Sequence, residues 1–178
     1  MKTLKAYKVQ NVSSDCVVCG THNEFSLGCK FFELDDNIIV ATLKAKNHHQ
    51  SYPGRMHGGM ISAIIDETIG RAVQIEKPEQ WGVTGELTIR YIKPTPLGQE
   101  LHCFAKLVQE NSRLFKGVAI LETQTGELVA TGSATYFKLD IAKITEGFGE
   151  SAWYSENIEI PKEFIIHNDE ILYKLVSK

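Results

Sequence analysis

The chain has 178 residues, 43% of them hydrophobic, and its 19 Lys and Arg against 22 Asp and Glu give a formal net charge of -3. That length suits one domain around a single core and leaves no room for a second enzyme domain. The acidic balance argues against a nucleic-acid partner, which would call for a basic face, and no apolar run is long enough to span a bilayer, so no membrane partner is expected.

The opening Met1-Lys2-Thr3-Leu4-Lys5-Ala6-Tyr7 lacks the apolar core of a signal peptide, which points to a cytoplasmic protein. Cys16-Val17-Val18-Cys19-Gly20 comes next. A Cys-x-x-Cys turn presents two thiolates to one tetrahedral metal and is half of a zinc knuckle. His22, Cys29, His48 and His49 do not have the spacing to complete it. Two reduced cysteines in a docked loop are therefore expected, with no metal and no cofactor, because cytosolic redox conditions disfavour a disulfide. Residues 27–34 and 37–44 then read as a pair of strands around Asp35-Asp36.

The richest stretch runs Arg55-Met56-His57-Gly58-Gly59-Met60-Ile61-Ser62-Ala63-Ile64-Ile65-Asp66-Glu67. Residues 60–75 carry Ile, Val, Ala or Met on nearly every turn and every side, the composition of a helix enclosed by other structure. Two carboxylates interrupt it. Glu67 has Arg71 four residues on, a helical ion partner. Asp66 shares its face with Ser62, Ile69, Gly70 and Val73, none of them basic, so its charge must be met by a ligand, another segment or another chain.

At the other end, the first helical turn leaves backbone N–H groups unpaired and partly positive. Gly58 and Gly59 remove the side chains that would keep a substrate oxygen away from those donors. Gly58 and Asp66 are eight residues apart, a helical rise of about 12 Å, whereas a reacting carbonyl must lie within roughly 3 Å of both its donor and its attacking group. If both act, the glycine turn and the acid come from different subunits, which predicts an isologous homodimer with two equivalent interface sites.

After Gln80-Trp81-Gly82 the period changes to two: Val83, Gly85, Leu87, Ile89 and Tyr91 alternate with Thr84, Glu86, Thr88 and Arg90. Residues 100–109, 113–122 and 128–138 read as further strands joined by turn chemistry, giving an antiparallel meander. One long helix between two strand groups is an α+β pattern, most simply a curved antiparallel sheet wrapped around the helix. Residues 140–178 depart from this pattern and are set apart as an extension beyond a domain over residues 1–139. They carry too much Ile, Phe, Trp and Tyr to be disordered, and residues 169–176 suggest a short docking helix.

His57-Gly58-Gly59 with Asp66, then Gly82-Val83-Thr84 and Arg90-Tyr91-Ile92-Lys93-Pro94-Thr95-Pro96-Leu97-Gly98, resembles the hotdog-fold acyl-CoA thioesterases of the phenylacetate-pathway type over roughly residues 16–137. The resemblance implies a hotdog fold, a long central helix wrapped by a curved sheet, and an acyl-CoA thioester held between the glycine turn of one subunit and the acid of its partner. It implies that the Gly58 amide polarises the thioester carbonyl, that His57 shapes this end of the site, and that Asp66 is nucleophile or general base. Thr84 would position the attacking water or the acid, and Gln50, Gly59 and Glu67 would border the substrate. Some relatives have an Asn six residues before the His, where this chain has Ser51. The same resemblance allows a dimer of dimers. Arg90, Lys93, Lys106, Arg113 and Lys116 are basic groups suited to the phosphates of coenzyme A.

A thioester needs an electrophilic push on its carbonyl oxygen and a delivered hydroxyl, and neither requires a metal. Two rival readings are a non-catalytic acyl-CoA-binding hotdog protein and a hotdog hydratase or dehydratase. Tyr52-Pro53-Gly54 after His48-His49 resembles the hydratase branch, but the His-Gly-Gly turn and Asp66 replace its His-based pattern. A pure binder would have no need of Asp66 and Thr84.

Overall fold

The computed structural model describes residues 1–145 and 152–177. Ten strands and three α-helices are described: β1 (Lys2–Val9), β2 (Val12–Ser13), β3 (Lys30–Leu34), β4 (Ile38–Lys44), α1 (Gly58–Arg71), β5 (Trp81–Tyr91), β6 (Glu100–Glu110), β7 (Leu114–Thr123), β8 (Leu128–Leu139), α2 (Ile141–Ile144), β9 (Trp153–Tyr154), β10 (Glu163–Ile166) and α3 (Asp169–Val176). Eight strands form one antiparallel sheet in the order β10-β1-β3-β4-β6-β7-β8-β5, and β2 pairs separately with β9. The β3–β4 connection places Asp36 and Asn37 at positive φ, 63° and 54°, a left-handed turn that Asp and Asn tolerate better than other side chains.

Helix α1 packs across β4, β6, β7, β8 and β5, the enclosed position its composition predicts. The helix yields to a tighter turn over Ala72–Ile75, so the apolar stretch is longer than the regular helix. Two glycines let the sheet approach the rod. A Cβ on Gly117 would lie 2.6 Å from Ile69 Cγ2 and 3.0 Å from the Lys106 carbonyl oxygen, and one on Gly132 would lie 2.5 Å from Ile65 Cγ2. Because backbone cannot step aside at Gly117, Gly117→Ala is expected to cost about 1–3 kcal/mol of folding free energy, measured by urea denaturation.

The strands read from residues 100–138 form the expected antiparallel meander, which β5 joins from its far side. β6, β7 and β8 are consecutive neighbours, but β5 pairs with β8 on the far side, leaving β5 as one edge of the sheet. Residues 92–99, which include Pro94 and Pro96, form a connection too long and too poor in ladder donors for a hairpin, so β5 and β6 separate.

β4, β6 and β7 are buried on both faces. Ile39, Ala41, Leu43, Leu101, Cys103, Ala105, Ala119 and Leu121 join the core around α1. Their alternates Ile38, Val40, Phe104, Val118 and Ile120 join a second core on the convex face with Leu4, Phe164, Ile166 and Leu172. Residues beyond 139 therefore contribute to the main sheet: β10 pairs with β1, and α3 packs against β6 and β7. Neither β1 nor β10 is anticipated by the strand pattern, because β1 is half-exposed and β10 is a short edge strand of four residues.

Glu122 fixes the approach to α3. Its side chain is fully buried and accepts from the His167 N–H (2.9 Å), the Asn168 N–H (3.1 Å) and Asn168 Nδ2 (2.6 Å). Glu122→Ala strands those donors and should lower stability by about 3 kcal/mol in a denaturant titration.

Candidate active site

Local chemistry sets the entry to α1. His57 is the N-cap, with extended φ and ψ of -66° and 136°, and its Nδ1 accepts from the Gly59 N–H at 2.9 Å. An Nδ1 that accepts leaves the proton of the neutral ring on Nε2. Gly59, placed by resemblance at the substrate, thus has its own N–H occupied by His57, whereas the Gly58 N–H has no partner among the described residues. Tyr91 Oη donates to the Gly58 carbonyl at 3.0 Å and lies 2.7 Å from Ser62 Oγ.

The segment before the helix is tied down from both sides. The Met56 N–H donates to Thr95 O at 2.9 Å and the His57 N–H to His49 O at 2.8 Å. Gln50 Oε1 accepts from the Gly54 N–H at 2.7 Å, where Gly54 supplies a positive φ of 74°. Gln50 therefore braces this loop. His49 is buried; its Nδ1 accepts from the Lys46 N–H at 3.0 Å and its Nε2 lies 3.0 Å from Phe25 O. Burial holds the His49 pKa below its ordinary value, so the ring folds neutral. Its contribution is present above the unfolded pKa and is lost as pH falls through the depressed folded value. Chemical denaturation at about pH 7 and about pH 5 should show a larger acid loss for wild type than for His49→Gln.

Asp66 lies eight residues down α1, half-buried, and its charge is met by another segment. Thr84 Oγ1 lies 3.0 Å from its Oδ1 and 3.2 Å from its Oδ2. Tyr136 Oη lies 2.9 Å from Oδ1 and 2.6 Å from the Asp66 carbonyl oxygen. Thr84 and Tyr136 are cross-strand partners on β5 and β8, and the ladder slips just after them, between Thr84 and Glu86. Such a bulge re-aims side chains. Tyr136 is nearly buried, stacks on Phe115 with ring centroids 4.8 Å apart, and lies against Gly70, where a Cβ would come within 3.3 Å of its ring. Burial, then the Asp66 charge, pushes the Tyr136 pKa up, so it remains a proton donor. The Thr84 role expected from resemblance has a direct contact here. Tyr136 was not anticipated; its signal is the inward run Ala130, Gly132, Ala134, Tyr136, small side chains against the helix and then one large polar ring.

Glu67 faces away from Asp66. Arg71 Nε and Nη2 lie 2.9 Å and 2.8 Å from its Oε1, the helical pair read from spacing. Asp66, Gly70, Thr84, Tyr136 and Trp153 line a cleft of about 190 Å³, which Glu67 borders. That is below the roughly 300–1,000 Å³ typical of sites for drug-sized ligands.

Residues 53–130 match the family model described as the thioesterase superfamily. This stretch belongs to the thioesterase superfamily. Mouse acyl-coenzyme A thioesterase 13 is 26% identical over 98 residues, covering 54% of this chain and 70% of that protein. A hypothetical thioesterase protein from Streptococcus pneumoniae, solved with coenzyme A, aligns at TM-score 0.54 and 26% identity over 59% of this chain and 83% of that one. The PaaI protein of the E. coli phenylacetic acid degradation operon aligns at TM-score 0.58 and 18% identity, covering 64% and 80%, a likeness of fold. The thioesterase-superfamily stretch spans the glycine turn, α1, β5, β6, β7 and the start of β8, and so holds Gly58, Asp66 and Thr84; Tyr136 falls beyond it. The architecture, one long helix wrapped by an antiparallel sheet, is the hotdog fold of these thioesterases.

Proposed function

We propose that this chain hydrolyses an acyl-CoA thioester to the free acid and coenzyme A. The observation that carries the reading is the Asp66 carboxylate, held between the Thr84 and Tyr136 hydroxyls at the wall of an open cleft. A carboxylate locked by two neutral donors is pre-oriented for attack or for proton abstraction from water. Neither role needs a metal.

The electrophilic half is the unpaired Gly58 N–H of a second copy. Within one chain the helical rise separates Gly58 from Asp66 by about 12 Å, and the cleft beside Asp66 is small, about 190 Å³. A homodimer meets both constraints. β5 offers the free sheet edge, with Tyr91 and Phe137 exposed nearby, and antiparallel pairing of two β5 edges would bring one glycine turn toward the partner's acid. The thioester carbonyl accepts from Gly58, Asp66 or its activated water adds to the carbonyl carbon, and the tetrahedral intermediate collapses with loss of the CoA thiolate; where Asp66 itself adds, water then hydrolyses the resulting mixed anhydride to the free acid and restores the carboxylate. His57 supports the turn as its cap, and its Nε2–H is free to face the substrate.

The test is thiol release from a panel of aromatic and aliphatic acyl-CoA esters by protein verified as dimeric. Wild type should hydrolyse at least one member. Thr84→Ala and Tyr136→Phe each leave Asp66 in place but loosen it, and each should lower kcat by roughly tenfold with little change in KM. Tight acyl-CoA binding with no thiol released would instead establish a binding module.

A further inference from the structure

The geometry points to a zinc site formed by Cys16, Cys19 and Glu67, with a fourth position open to water. The sequence shows only half of a zinc knuckle; the fold brings Glu67 of α1 against it. Both cysteine sulfurs and a Glu67 carboxylate oxygen lie within 4.8 Å of one another, with Cys19 Sγ 4.0 Å from Glu67 Oε1. A tetrahedral ion with bonds of about 2.3 Å to sulfur and about 2.1 Å to oxygen sets its donors roughly 3.6–3.8 Å apart. Closing the site needs shifts well under a side-chain rotamer change.

The loop is built to hold thiolates. The Val18 N–H donates to Cys16 Sγ at 3.2 Å, the Ser13 N–H lies 3.3 Å from Cys19 Sγ, and the Gly20 N–H closes the turn on Cys16 O at 2.8 Å. Gly20 is required there, because a Cβ would lie 2.4 Å from Cys16 O. Hydrogen bonding from Cys19 lowers the Cys16 pKa to about 7, while the same pairing and burial push Cys19 up. Metal binding displaces the Cys19 proton, so affinity falls as pH drops.

Arg71 completes the charge balance. It is buried over the Phe31 ring at 4.0 Å, donates to Asn11 O at 2.7 Å, and lies 3.3 Å from Cys19 Sγ as well as on Glu67. Two thiolates and one carboxylate carry three negative charges, which a divalent ion and the Arg71 guanidinium neutralise. Soft sulfur donors select zinc over magnesium or calcium, which take oxygen. Cys16 is half-buried, so solvent reaches the cluster from its side. The ion would pin the 14–29 loop to α1 one residue beyond Asp66, and its existence does not depend on the hydrolase reading.

The experiment is a cobalt titration of the full chain after chelator treatment and reduction, followed by displacement with zinc. Expected are one Co²⁺ per chain, thiolate-to-cobalt charge-transfer absorption, loss of that absorption on stoichiometric zinc, and a melting temperature several degrees higher with zinc bound. Cys16→Ser and Cys19→Ser, checked for fold by circular dichroism, should each lose the stoichiometric step. Should either variant fail to fold, alkylation of wild type decides: zinc must slow the modification of Cys16. No uptake by folded, reduced wild type, equal uptake by Cys16→Ser, or a Cys16–Cys19 disulfide that persists under reductant would overturn the site.

Discussion

Asp66→Asn lowers kcat for acyl-CoA hydrolysis by about a thousandfold or more, in protein that keeps its fold and its oligomeric state. The amide is nearly isosteric and can still accept from Thr84 and Tyr136, so the positions of β5 and β8 beside α1 are preserved. What is lost is the carboxylate oxygen that, on the proposed mechanism, attacks the carbonyl or takes a proton from water. On the proposed mechanism Asp66 acts on the reacting atoms and not on the coenzyme, so KM should change far less than kcat. Single-turnover hydrolysis in heavy-oxygen water then probes the two chemistries: label recovered in Asp66 assigns it as nucleophile through a mixed anhydride opened at its own carboxyl carbon, and label confined to the product acid, with no acyl-enzyme trapped by hydroxylamine, assigns it as general base. Activity that survives Asp66→Asn would keep the enzyme and discard this residue.

Ending the chain at Ile160 removes β10 and α3 and should unfold the protein, or leave it aggregated, at ordinary temperature. Phe164, Ile166 and Leu172 lie in the convex-face core with Phe32, Ile38, Val40, Phe104 and Ile120. Losing roughly 2 kcal/mol for each of those three buried side chains consumes most of a typical domain's stability, before the newly exposed sheet surface is counted. The deletion also strips Glu122 of its His167 and Asn168 donors, so the hydrogen bonds that join β7 to the C-terminal segment are lost as well. Circular dichroism and thermal melting of the shortened chain would check this. A cooperative melt within a few degrees of wild type would make these residues a dispensable appendage and support a domain boundary at residue 139.

Much of this was legible in linear pattern. The apolar run after His57-Gly58-Gly59 could only be an enclosed helix, because no solvent face can be drawn on it, and the alternation over residues 83–91 could only be a strand with unlike faces. Asp66 was separable from Glu67 by helical spacing alone, since Arg71 lies four residues from one and on another face from the other. The Asp35-Asp36 turn and the 169–176 helix were equally local. These features depend on residues within one or two turns of each other, where sterics and hydrogen bonding act without help from the rest of the chain.

What the pattern could not decide was which distant segments meet. Continuous burial in Ile38-Ile39-Val40-Ala41 signals cover on both faces of β4, but only the tertiary structure reveals that residues beyond 160 provide the second cover. The alternation over residues 83–91 marks β5 as a strand without naming its neighbour; it pairs with β8, and that register sets Tyr136 beside Thr84 on the Asp66 carboxylate. Glu67 reads as the local partner of Arg71, which it is, but its approach to Cys16 and Cys19 spans about fifty positions of sequence. Residue type and spacing therefore determined the helix, its acid and its glycine turn, because those rest on local geometry. Strand order, the hydroxyl pair and the sulfur–carboxylate cluster were decided by nonlocal packing, in which many pairings satisfy the same alternation and only the joint burial of both sheet faces selects one.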